Sequence, residues 1–209
     1  MNADTIEITF LRHGRSAADD EGKYEGRYDS LLTDAGKVQA LARGESWRNS
    51  GVVFDGVICS TLKRAISTAE IVAGCLDHEI ELDPDWMEVD IGGLCGLTFE
   101  EGQRRFPKPV FRGPYDPIAG GESEIQLHAR AARAVEKIVR RGPGHWLVVA
   151  HGGSINAALR TITGIPFPIN GHGVWFHLGD LGYTRLRFQP GSHHWLILEL
   201  AQGIVLQPD

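Results

Sequence analysis

Cysteine, long apolar runs and net positive charge are all scarce in this chain of 209 residues, and each shortage removes a class of function. The three cysteines, Cys59, Cys75 and Cys95, are odd in number and lack CxxC spacing, so they form neither a disulfide framework nor a cysteine zinc site. No window holds the ~18 consecutive apolar residues of a membrane helix. The first residues show no basic segment followed by an apolar core and a small-residue cleavage site, so the expected compartment is the cytoplasm. The 21 Lys and Arg fall short of the 27 Asp and Glu, for a formal net charge of -6. That balance argues against a general nucleic-acid binder. It leaves a small anionic ligand open, because a pocket inside an acidic protein can be locally cationic.

What the chain does have is an alternation of strand and helix patterns. Strand patterns fall at about 5–11, at Val57–Cys59, at Ile80–Leu82 and at 146–150. Helical spacing covers about 34–49 behind a Thr33 cap. It returns from Ser60 or Thr61 to about Gly74, over about 121–141, and from Ser154 to about Thr163. Alternating residues at Gly173–His177, Tyr183–Phe188 and His194–Glu199 predict terminal strands. The expected fold class is α/β: one domain over residues 1–209, a three-layer sandwich with a mostly parallel central sheet and helices on both faces. One segment breaks the alternation. After a short helix at about 98–106, Pro107, Pro109, Pro114 and Pro117 forbid regular structure, and Arg104, Arg105, Lys108 and Arg112 make it basic. An irregular insert of this length, about 98–121, reads as a lid or binding loop, or equally as a solvated surface excursion.

Two of the strands run into similar sequences. The first delivers Arg12-His13-Gly14 and the second His151-Gly152-Gly153-Ser154. In an open α/β sheet, ligands collect outside the carboxyl ends of the strands. Arg12 offers a guanidinium fork suited to phosphate oxygens, and Gly14 permits close backbone approach. A neutral imidazole at His13 can attack phosphorus, and the adjacent arginine opposes its protonation. Arg64 sits in the first turn of a helix, where a cation opposes the macrodipole by roughly 0.3–1 kcal/mol. A bound phosphate would turn that penalty into attraction. His151 suits stabilisation of the transferring phosphoryl group, with the amides of Gly152 and Gly153 beside it. Ser154 reads as a helix cap. Either Glu88 or Asp90 could protonate the leaving oxygen. Glu122 is a further carboxylate candidate, equally well explained as a favourable charge in a helix's first turn. Neither His193-His194 nor Asp19-Asp20-Glu21 has metal-site spacing, so no metal and no cofactor is expected.

Taken in order, Leu11-Arg12-His13-Gly14, Gly26 to Gly36, Ser60-Thr61-Leu62-Lys63-Arg64-Ala65, Glu88 to Gly92, Gly120-Gly121-Glu122-Ser123 and Val148 to Gly153 resemble the histidine phosphatase superfamily, of phosphoglycerate mutase-like fold. The resemblance covers roughly residues 6–160. It implies a metal-independent, acid-phosphatase-type reaction through a phosphohistidine, with His13 as nucleophile and Arg12, Arg64 and His151 around the phosphate. It selects Glu88 over Asp90 as the proton donor. Arg15-Ser16 replaces the family's usual Glu-Thr, and Ala18-Asp19-Asp20 stands where a phosphate-contacting Asn is common. The chain passes directly from Leu97 into Thr98, without the longer insert of mutases. The expectation is therefore a phosphomonoesterase acting on a small phosphorylated metabolite, its leaving group read by the insert and by Arg15, Tyr24 and Arg27. A phosphomutase and a catalytically silent phospholigand-binding protein are the alternatives, and a homodimer is left open.

Overall fold

The computed structural model describes residues 5–170 and 173–203; the expected domain's outermost residues, 1–4 and 204–209, lie outside that description. The strands are β1 (Ile6–Arg12), β2 (Gly56–Cys59), β3 (Ile80–Leu82), β4 (Gly144–Ala150), β5 (Tyr183–Gln189) and β6 (His194–Ala201). The helices are α1 (Ala17–Asp20), α2 (Asp34–Asn49), α3 (Lys63–Leu76), α4 (Phe99–Arg105), α5 (Glu124–Val139) and α6 (Gly152–Thr163). The strands form one sheet in the order β3-β2-β4-β1-β5-β6. The first four are mutually parallel; β5 pairs antiparallel with β1, and β6 pairs antiparallel with β5.

Burial explains why the central strands read as continuous apolar runs. In β1 and β4, Ile6, Ile8, Phe10, Val148 and Ala150 pack into one core with residues of α5 and α6. Leu11, Leu147 and Val149 enter a second core with residues of α2 and α3. Both faces of the sheet are thus covered, as parallel strands require. Trp86, wholly buried, ends a short 3₁₀ turn (Pro84–Trp86) and packs on Phe10 at 5.4 Å between ring centres. It anchors the chain two residues before Glu88.

Three local expectations change. The α3 helix is not capped by Ser60 or Thr61: its N-cap position is Leu62, and the Lys63 N–H is taken by Asp29 Oδ1 at 2.7 Å. Helix α6 begins at Gly152, with His151 at the N-cap position; Ser154 sits one turn in, its Oγ accepting from the His151 N–H at 3.3 Å. Residues 173–177 form no strand. Their backbone is satisfied from α6 instead. The Phe176 N–H donates to Asn156 Oδ1 at 2.8 Å, Asn156 Nδ2 donates to Phe176 O at 3.0 Å, and Arg160 donates to Val174 O. A strand pattern was legible there, but side chains compete successfully for its hydrogen bonds.

Beyond α4, which carries a Thr98–Glu101 capping box, residues 106–123 are irregular, as the prolines foretold. The segment is nonetheless tied down. Gly93 donates its N–H to Ala119 O at 3.0 Å, and Glu122 donates its N–H to Asp90 O at 2.7 Å.

Because Asn156 serves both backbone groups of Phe176, Asn156→Ala should lower unfolding free energy by about 1–3 kcal/mol, the cost of stranding buried polar groups. Urea denaturation measures this, and a change within error would remove the tether from the account.

Candidate active site

Parallel register brings the two histidines together. Arg12 of β1 pairs with Ala150 of β4, and the His13 N–H donates to Ala150 O at 3.0 Å. The next residue of each strand therefore leaves the sheet at the same level, and the rings of His13 and His151 lie 5.0 Å apart. Both are buried. Gly14 serves a purpose other than the expected one. A Cβ there would stand 2.7 Å from Gly36 O, so the close approach it allows is to the start of α2 rather than to a ligand.

His13 Nδ1 donates to Gly14 O at 2.7 Å, and a carbonyl can only accept. The tautomer assigned from that partner leaves Nε2 with a free electron pair, toward which Arg64 Nε donates at 3.2 Å. Burial, then Arg64, then Arg12 hold the His13 pKa well below its ordinary value. The ring is thus the neutral, nucleophilic form. Burial is also the main cause holding His151 neutral, followed by Arg64, His13 and Arg12. His151 is thereby a neutral N–H donor rather than an imidazolium. Its Nε2 meets Ser60 Oγ at 2.8 Å, and Ser60 Oγ accepts from the Leu62 N–H. Directing the Ser60 hydroxyl proton to Nε2 leaves the proton of His151 on Nδ1. That atom is buried with no hydrogen-bond partner among the described residues.

Arg64 is fully buried. Its Nη1 donates to Tyr28 O at 2.9 Å and its Nη2 to Gly26 O at 2.7 Å. The loop between α1 and α2 thus fixes the guanidinium against His13. Arg12 reaches the site from the other side; Nη1 donates to Leu178 O at 2.9 Å and Nη2 lies 3.6 Å from Asp180. Asp180 lies in a buried setting that raises its pKa, an effect Arg12 opposes.

Glu88 lies at the start of α6. Its carboxylate accepts from the N–H groups of Gly153 at 2.9 Å, Ser154 at 3.0 Å and Val89 at 2.8 Å. The expectation that Gly153 offers its amide to a phosphate is therefore corrected: Glu88 takes it, while Gly152 opens the helix alongside. A carboxylate has about four acceptor sites, so one is left for a proton. The charge of Glu88 acts on Arg64, which places it in the same electrostatic cage.

The remaining candidates are dispersed. Arg27 donates to Glu88 O at 3.2 Å and faces Asp90 at 3.7 Å and Glu122 at 3.8 Å, holding the segment that carries Glu88. Glu122 is an ion-pair partner rather than a free ligand. Arg130 binds both its oxygens, at 2.9 and 2.8 Å, and donates to the carbonyls of Asp85, Met87 and Glu88. Arg15 pairs with Asp20 at 2.8 Å and, with Arg12, His177 and Asp180, lines an outer cavity of about 510 Å³. Tyr24 stacks edge-on against Phe99 and lines a larger cavity of about 1060 Å³ under the insert. Neither histidine lines that larger space. Asp19 turns its carboxylate onto Ser16 in a capping box. Ser60, Glu25 and Asp180 went unrecognised in the sequence. Ser60 lies within a motif but read as a helix cap, Glu25 stands just before the Gly26 to Gly36 stretch, and Asp180 lies in a turn outside every motif.

Among the described residues, no three His, Cys, Asp or Glu side chains cluster to hold a metal, and no helix is long and apolar enough to cross a membrane. Phosphoglycerate mutase-like protein 4 of Arabidopsis thaliana is 33% identical over 163 residues, spanning 75% of this chain and 70% of the relative. The metal-independent phosphoserine phosphatase of the same plant is 32% identical over 170 residues, 78% of this chain and 71% of the relative. The structure of a mycobacterial glucosyl-3-phosphoglycerate phosphatase with VO3 superposes with a TM-score of 0.79 at 23% identity, covering 94% of this chain and 99% of that one. A likeness at that identity bears on the fold alone. The sequence pattern of the histidine phosphatase superfamily (branch 1) matches residues 8–200, so the chain belongs to that family.

Proposed function

We propose that this enzyme hydrolyses phosphomonoesters of small metabolites through a covalent phosphohistidine at His13, with no metal. The observation that carries the reading is the pairing of a neutral His13 Nε2 with the buried Arg64 guanidinium at 3.2 Å. In the first step the Nε2 lone pair forms a bond to phosphorus, the ester P–O bond breaks, and a protonated Glu88 gives its proton to the departing oxygen. Water then attacks phosphorus, Glu88 takes its proton back, and the N–P bond breaks to release phosphate. Arg12 and Arg64 neutralise the equatorial oxygens, and His151 Nδ1–H supplies a third donor. That cationic cage does the work a divalent ion does in other phosphoryl-transfer sites.

The leaving group has the cavity beside Tyr24 and the insert to occupy. The cavity's lining mixes Phe106, Phe111 and Ile118 with Arg105, Lys108 and Arg112, which suits a group with some apolar surface and a second negative charge. A mutase reading is favoured by the phosphoglycerate mutase-like relative. Assay of released phosphate against isomerisation of a phosphorylated hydroxy acid separates the two.

Full activity should persist in excess EDTA; loss restored by a divalent metal would refute the metal-free scheme. His13→Ala should abolish turnover, by at least about 10⁴-fold, together with an acid-labile, base-stable phosphoenzyme seen on quenching. Retention of most activity would place the nucleophile elsewhere. Glu88→Gln should slow alkyl phosphates by about 10²–10⁴-fold while barely affecting aryl phosphates, whose leaving groups need no proton. Equal slowing of both classes would exclude Glu88 as the acid.

A further inference from the structure

Glu25 has no part in the chemistry above, yet it stands at the attacking atom. Its Oε2 lies 3.3 Å from Arg64 Nε and 3.9 Å from His13 Nε2. Its Oε1 accepts from Ser30 Oγ at 2.5 Å, which fixes the side chain in place. The side chain is 16% exposed, so little solvent separates it from its neighbours. Phosphorus approached by His13 Nε2 must come within about 3–3.5 Å of that nitrogen. A phosphoryl oxygen bound to Arg64 must come within about 2.7–2.9 Å of its N–H groups. Glu25 Oε2 and the phosphoryl oxygens therefore compete for the same few ångströms.

We infer that Glu25 sets the charge state of the phosphoryl group the site accepts: the singly protonated monoanion donates its P–OH to Glu25 Oε2, and the dianion is repelled. The inference rests on the phosphate-site reading of His13 and Arg64. Other charges nearby do not undo it. Arg64 from α3 and the neutral His13 just past β1 are the groups facing the carboxylate, with the uncharged Ser30 behind it. Asp19 and Asp29 also act on Arg64, and Asp180 already faces Arg12, so neither guanidinium of the cage is an uncompensated cation. A phosphomonoester loses its second proton near pH 6, so the accepted form dominates in mild acid. Both active-site imidazoles stay neutral there, because burial and the arginines oppose their protonation.

The test is calorimetric titration of inorganic phosphate, with sulfate as a control that loses no proton in the range, at about pH 5.5 and about pH 8. Glu25→Gln keeps the side-chain length and an acceptor for Ser30, and a thermal melt checks that it folds. Wild-type affinity for phosphate should fall at least tenfold from the lower to the higher pH, while sulfate affinity stays flat. Glu25→Gln should bind phosphate at least tenfold more tightly than wild type at the higher pH, with most of the pH dependence removed. Unchanged or weaker binding by the variant would overturn the inference. So would wild-type phosphate affinity that holds steady or rises with pH, or sulfate affinity that falls in parallel, and neither of these readings depends on the variant. Failure of both proteins to bind phosphate at any pH would refute the underlying phosphate site, a distinct result that removes this inference with it.

Discussion

The rest of the site depends on the burial of one cation. The Arg64 guanidinium is removed from solvent, and an uncompensated charge in that position would be prohibitive. Compensation comes from the carbonyls of Gly26 and Tyr28, from the ring of His13 and from the carboxylate of Glu25. Each partner that satisfies Arg64 is thereby placed. The loop between α1 and α2 closes over the site because its carbonyls are needed, and burial, with that charge beside it, holds His13 neutral. Fold stability and chemical readiness are the same set of contacts.

A second constraint is the register of β1 against β4. Two strands running in parallel and paired Arg12 to Ala150 end together, so residues 138 positions apart in the chain become ring neighbours. Trp86 and Arg130 complete the arrangement from the other core. They hold the segment that carries Glu88 against the start of α6, where the amides of Gly153 and Ser154, with that of Val89, receive its carboxylate. Glu88 and both imidazoles are thus positioned by backbone geometry more than by one another.

Much of this was legible in the residues. Periodicity placed α2 and the central strands, since both sheet faces are buried and the apolar runs are unbroken. The cost of a cation in the first turn of α3 marked Arg64 as a residue with another purpose. What could not be read was competition among hydrogen-bond partners. The 173–177 segment has a strand's pattern, but Asn156 and Arg160 claim its backbone. Gly153 looked like a phosphate donor until Glu88 reached it, and Glu122 looked like a ligand until Arg130 took both its oxygens. Glu25 and Asp180 are ordinary acids along the chain and become important only where the fold sets them beside arginines.

The central claim is that His13 Nε2, Arg12, Arg64 and His151 converge on one tetrahedral group. A crystal structure of the protein soaked with orthovanadate tests it directly. The account predicts vanadium within bonding distance of His13 Nε2, its oxygens held by both guanidiniums and by His151 Nδ1. Vanadate bound elsewhere, or bound here with His13 uninvolved, would contradict it.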